Sequence, residues 1–169
     1  MALARFFNTI ILFFLFSILF AQTPPANNKP SGAISLTVQS ESCEGKSTDT
    51  EGTFANATHS GETFENSFNG RKCNVSARSS VTTPTDVWYK VTVPSSGTFK
   101  MYAEGRDDSY IDETSLTAVF FTKSGDTYTK FDCIDSSYAA GYEHEISSRT
   151  AGEMVYIQLL SNNELYEYG

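Results

Sequence analysis

Between Asp86 and Val93 apolar residues fall at every second position: Val87, Tyr89, Val91 and Val93 alternate with polar or amphipathic neighbours. A period of two predicts a half-buried β-strand. Pro94 withdraws a ladder donor and Gly97 permits a turn, after which Phe99, Met101 and Ala103 resume the alternation as a second strand, expected to be antiparallel to the first. Thr114–Phe121 is dense in β-formers and apolar on both faces, the pattern of a central strand. Ser124-Gly125-Asp126 turns the chain into a strand over Tyr128–Ile134. Glu143–Ser147 reads as an edge strand, and Glu153–Leu160 as a strong one with Val155, Ile157 and Leu159 on one side.

Upstream the signals weaken. Gln22–Gly32 is rich in Pro, Asn and Ser and reads as an extended spacer. Ala33–Val38 is a short strand, and Thr50–Ala57 a candidate strand around Phe54. Thr58–Pro84 holds only Phe64, Phe68, Val75 and Val81 as sizeable apolar anchors and reads as a long excursion. No helical period is sustained after Gln22 and no repeat is found. Seven to nine short strands separated by turn signals predict an all-β fold, an antiparallel, jelly-roll-like β-sandwich over residues 33–169. Glu164–Gly169 ends where another strand is expected, so the sandwich is expected to lack its last strand.

Residues 1–21 carry one charge, Arg5, then an apolar run from Phe6 to Phe20 closed by Ala21. This is the pattern of a helical signal peptide, too short and too interrupted for a spanning helix. Its removal leaves 148 residues, enough for one core. The remaining chain has 11 basic and 20 acidic residues, a formal charge of −9, which argues against nucleic acid as a partner. Export to an oxidising compartment allows one disulfide among Cys43, Cys73 and Cys133. Cys43 with Cys73 is the expected pair, closing a loop poor in apolar anchors. Cys133 is then a buried inert thiol, placed by alternation on the same side as Phe131.

The run Asp86-Val-Trp-Tyr-Lys-Val-Thr-Val-Pro-Ser-Ser-Gly-Thr-Phe99 resembles the secreted β-sandwich modules of the pre-peptidase C-terminal type found in exported Bacteroidetes proteins. The likeness extends over most of the chain after the leader, through Cys43, Asp86–Tyr89, Pro94–Gly97, Glu113–Phe121, Cys133–Asp135 and Gly152–Leu160. Two features depart from it. Ser124-Gly125 stands where the family often has a second cysteine, which deprives Cys133 of its customary partner, and the closing Gly-Phe/Tyr strand is missing. The resemblance implies an accessory module of a secreted protease, adhesin or other surface protein that aids binding and catalyses nothing; such fold analogy is associational.

Catalytic chemistry has thin support in the residues. His59 lies in a Ser/Thr-rich loop and His144 between two glutamates, and neither sits in a nucleophile elbow, a zinc-binding helix or a cysteine dyad. The metal candidate is calcium, with Asp107, Asp108, Asp112, Asp132 and Asp135 offering oxygen ligands at one end of the sandwich; a solvated acidic loop is the plainer reading. Tyr102, Tyr110, Tyr138 and Tyr142 are the candidate ligand surface. Trp88, out of phase with Val87 and Tyr89, is expected to be structural, with a ligand platform as the alternative. Asn56-Ala-Thr58 and Asn74-Val-Ser76 are glycan acceptors only in a eukaryotic secretory route. The expected role is a non-catalytic binding module, secreted or at the cell surface, joining a larger exported protein to a polysaccharide or protein polymer, without membrane insertion after leader cleavage. An accessory fragment of a secreted hydrolase and a structural spacer are the alternatives.

Overall fold

The computed structural model describes residues 23–39, 50–61, 85–104, 116–135 and 141–161. Seven strands run through them: β1 (Ile34–Leu36), β2 (Thr85–Thr92), β3 (Phe99–Glu104), β4 (Leu116–Ser124), β5 (Thr127–Asp135), β6 (Gly141–Ile146) and β7 (Met154–Ser161). They form two sheets, one of five strands in the order β1-β2-β7-β4-β5 and one of two, β3-β6. Every pair is antiparallel except β1 with β2, which is parallel. The only helical element among the described residues is a 3-10 turn at Pro30–Gly32. The all-β expectation therefore holds, and the strongly alternating segments became strands within one or two residues of their predicted limits.

The two sheets share one interior. Val87, Tyr89 and Val91 of β2, Ala118 and Phe120 of β4, and Val155 and Ile157 of β7 meet Phe99 and Met101 of β3 and Ile146 of β6. The alternation of β7 places Val155 and Ile157 there as expected, with Leu159 packed against the same cluster. A second cluster lies on the opposite face of the five-stranded sheet: Ala33, Trp88, Val119, Phe121, Cys133 and Leu160, bordered by Tyr128 and Tyr156. Burial of both faces explains why every residue of β4 from Leu116 to Phe121 is buried and all but Thr117 are apolar.

Three local expectations change. β2 and β3 are not partners, because the Pro94–Gly97 turn carries the chain from one sheet to the other. Gly97 N–H donates to Pro94 O, its φ is 70°, and its carbonyl accepts from Arg149 N–H at 3.0 Å, pinning the crossover to the β6–β7 connection. Residues 50–61 hold a turn where a strand was expected: Ala57 N–H donates to Phe54 O and Asn56 has a φ of 60°. Phe54 still packs on the interior, while Tyr89 reaches Gly52 so closely that a Cβ there would lie 2.0 Å from the phenol oxygen. Burial pushes the Tyr89 phenol pKa up, partly offset by hydrogen bonding to Asn27.

The third change concerns β5. Phe120 pairs with Asp132 but its neighbour Phe121 pairs with Lys130, so Phe131 is an extra residue, a β-bulge. Phe131 and Asp132 consequently both face the interior, and Cys133 joins the opposite cluster instead of sharing a side with Phe131.

The Pro/Asn-rich stretch before β1 is tied into the fold. Asn27 O accepts from Trp88 N–H at 2.8 Å, and the Asn28 side chain both donates to Thr58 Oγ1 and accepts from Thr58 N–H. An asparagine amide offers a donor and an acceptor like a backbone unit, so it serves as a one-residue extension of pairing. The expected leader at residues 1–21, most of the expected 58–84 excursion and residues 162–169 lie outside the described residues.

Gly97→Ala should destabilise the protein by about 1–3 kcal/mol, because it forces a side chain into positive φ and sets a Cβ 2.7 Å from Arg149 O. Urea unfolding measures this, and an unchanged midpoint would show that the crossover does not need glycine.

Candidate functional site

Three places gather polar side chains. The most buried is centred on Asp86, at the start of β2 on the face that carries Trp88. Its carboxylate is fully enclosed, with a relative exposure of 0%. Oδ2 accepts from Ser60 Oγ at 2.7 Å, Ser60 N at 3.1 Å and Gln158 Nε2 at 2.5 Å, and lies 3.3 Å from His59 Nδ1. Enclosing a carboxylate is costly without such donors. Serine, histidine and aspartate thus meet here, yet both Ser60 and His59 address the same Asp86 oxygen. A hydrolytic triad needs them in series, serine to histidine to aspartate; this convergent arrangement ties residues 59–60 to the sheet. In the sequence Asp86 stands only at the head of the Asp86–Phe99 run, with nothing to connect it to Ser60, His59 or Gln158. Gln158 lies 98 residues from Ser60, and no local pattern announces such a contact.

The second place joins the sheets. His144 on β6 sets Nε2 2.9 Å from Asp132 Oδ2 on β5, and Asp132 Oδ1 accepts from Cys133 N–H. The imidazole lies 5.4 Å, centroid to centroid, from the Phe120 ring, and is 8% exposed. Asp132, one of the candidate calcium ligands, therefore commits both oxygens within the protein. Asp135 is the last residue of β5, while Asp107, Asp108 and Asp112 lie outside the described residues. Among the described residues, no group of three or more His, Cys, Asp or Glu side chains is arranged to hold a metal. Beside this pair, Arg149 stacks 4.0 Å above the Phe131 ring while its guanidinium pairs with Glu153.

Cys133 is disulfide-bonded, to a partner outside the described residues, and is not the inert thiol expected. The bulge at Phe131 places Cys133 in the cluster on the outer face of the large sheet. Cys43 and Cys73, the expected pair, both lie outside the described residues.

The third place is the outward face of the β3-β6 sheet. Tyr102 is 55% exposed and sits opposite Glu143. Lys100 Nζ reaches Glu143 Oε1 at 2.7 Å, a contact that holds the lysine pKa above its ordinary value. Both charged groups are solvent-exposed, so the pair contributes little to stability. Of the other candidate surface tyrosines, Tyr142 lies on β6 opposite Ala103, and Tyr110 and Tyr138 fall outside the described residues. Trp88 presents no platform: it is fully buried, 5.3 Å from Phe121 and 5.9 Å from Tyr128 between ring centroids. Compared with protein families, with curated proteins and with solved structures, the chain matches none.

A double-mutant cycle with Asp132→Asn and His144→Ala should return a coupling energy of about 1–3 kcal/mol, read by urea unfolding; additive effects would mean the 2.9 Å contact contributes nothing. Alkylation of the denatured, unreduced protein should label one thiol, rising to three after reduction. Three labels before reduction would remove the Cys133 bond.

Proposed function

We propose that the chain is a non-catalytic secreted module that attaches a larger exported protein to a polysaccharide or protein polymer. The observation that carries this reading is the exposure of Tyr102 on a regular strand, flanked by the Lys100–Glu143 pair. A tyrosine fixed on a strand offers a flat apolar ring with a polar tip at low entropic cost, the kind of surface that stacks on sugar rings or peptide planes. Its rigidity comes from Phe99, Met101 and Ile146, which anchor the small sheet to the interior from behind.

The leader at 1–21 and the acidic balance support export of the chain to the cell surface or beyond. A jelly-roll connection and kinship with pre-peptidase C-terminal modules belong to the same reading, supported by the Asp86–Phe99 run and the two-sheet architecture. The occupation of Ser60, His59 and Asp86 in anchoring a turn favours attachment over hydrolysis. Calcium, in this reading, binds in the loops that carry Asp107, Asp108 and Asp112.

Pull-down of the purified protein on insoluble polysaccharides and on collagen, with calcium or with chelator, tests attachment. Tyr102→Ala should lower retention on the bound polymer at least tenfold without moving the thermal midpoint. Flat responses across the panel would favour a spacer. Retention indifferent to Tyr102→Ala would move the contact elsewhere.

A further inference from the structure

We propose that a single ordered water molecule is bound beneath the outer face of the five-stranded sheet, held between Asp86, Trp88 and Gln158. Three side-chain atoms there have no hydrogen-bond partner within the protein: Asp86 Oδ1, Gln158 Oε1 and Trp88 Nε1. All three residues are fully buried, so bulk solvent does not reach them. They share one patch. Trp88 and Gln158 are cross-strand partners on β2 and β7, Asp86 stands two residues before Trp88 on the same face, and Gln158 Nε2 is already 2.5 Å from Asp86 Oδ2.

The identity of the ligand follows from the donor and acceptor count. Carboxylate Oδ1 and amide Oε1 each need a hydrogen, while the indole N–H needs a lone pair. One water supplies two hydrogens and a lone pair, which is the complement of this set, and buried waters characteristically make about three hydrogen bonds to such groups. A metal cation would satisfy the two oxygens but would set a positive charge against the indole N–H. The amide orientation is fixed independently: the Gln158 nitrogen must face Asp86 Oδ2 to donate, which leaves its oxygen as the acceptor. The three donors to Asp86, Ser60 N, Ser60 Oγ and Gln158 Nε2, all address Oδ2, which leaves Oδ1 as the remaining acceptor.

Trp88 is the chain's one tryptophan, so its indole proton gives a single resonance in the nitrogen-correlated spectrum of the purified protein. That proton should show a rotating-frame dipolar cross-peak to the water signal, of opposite sign to an exchange peak. Gln158→Met removes one acceptor and should weaken the cross-peak several-fold while the amide spectrum stays dispersed. Asp86→Asn provides a second, isosteric variant: its oxygen must take over the Oδ2 contacts, so its amide nitrogen replaces the Oδ1 acceptor with a donor, and the cross-peak should weaken again. A wild-type protein with no cross-peak, or a cross-peak undiminished in whichever of the two variants fold, would overturn the proposal. So would loss of the cross-peak on adding calcium and its return with chelator, which would place a cation between the two oxygens.

Discussion

The five-stranded sheet is greasy on both faces, and each face needs a cover. On one side the cover is the β3-β6 pair, which contributes Phe99, Met101 and Ile146 to a common interior. On the other, Trp88, Val119, Phe121 and Leu160 form a second buried layer. Burying a large apolar side chain is worth roughly 1.5–3 kcal/mol, against a net stability of about 5–15 kcal/mol for a domain. Neither layer is dispensable on those magnitudes. The polar groups met between or beneath the layers follow from this constraint, since any hydrophilic atom sealed in by two covers must find a partner inside.

That pressure accounts for the surroundings of the enclosed Asp86 carboxylate and of the half-buried Asp132 carboxylate. Asp86 draws donors from a turn and from a strand, and Asp132 draws a histidine from the other sheet and the amide of its own neighbour. Each ties together segments far apart in sequence. His59, Ser60 and His144 here make hydrogen-bond contacts with these two carboxylates. Among the described residues, Tyr102 stands exposed on the outward side of the small sheet.

The strands themselves were largely legible in the residues. β2 and β7 set their interior residues at alternate positions, Val87, Tyr89 and Val91 on one and Val155, Ile157 and Leu159 on the other, and β4 is apolar on both faces, because period two and burial leave a direct imprint on composition. Pairing was less legible. β2 and β3 look like a hairpin from their spacing, but the Pro94–Gly97 turn serves equally well as a bridge between sheets, and nothing local distinguishes the two. The Asp86 cluster escaped for a related reason: its members come from a turn, an early strand and the last described strand. Asn27 and Asn28 were hidden by composition, since a Pro/Asn-rich stretch looks like a spacer unless the partners of its amides are known. The disposition of Cys133 was missed because strict alternation assumes an uninterrupted ladder.

That interruption at Phe131 reaches further than one side chain. A strand with a perfect alternation is a two-sided ledger in which each residue's side is fixed by counting; one supernumerary residue resets the count for everything after it. Between Lys130 and Cys133 an aromatic ring, an acid and a sulfur are thereby sorted to different sides of the same sheet. Removing Phe131 itself would restore a regular ladder with Asp132 and Cys133 on their present sides, whereas a single-residue insertion or deletion between Asp132 and Asp135 would move the residues after it to the other face. Indels there are therefore expected to be far less tolerable than substitutions.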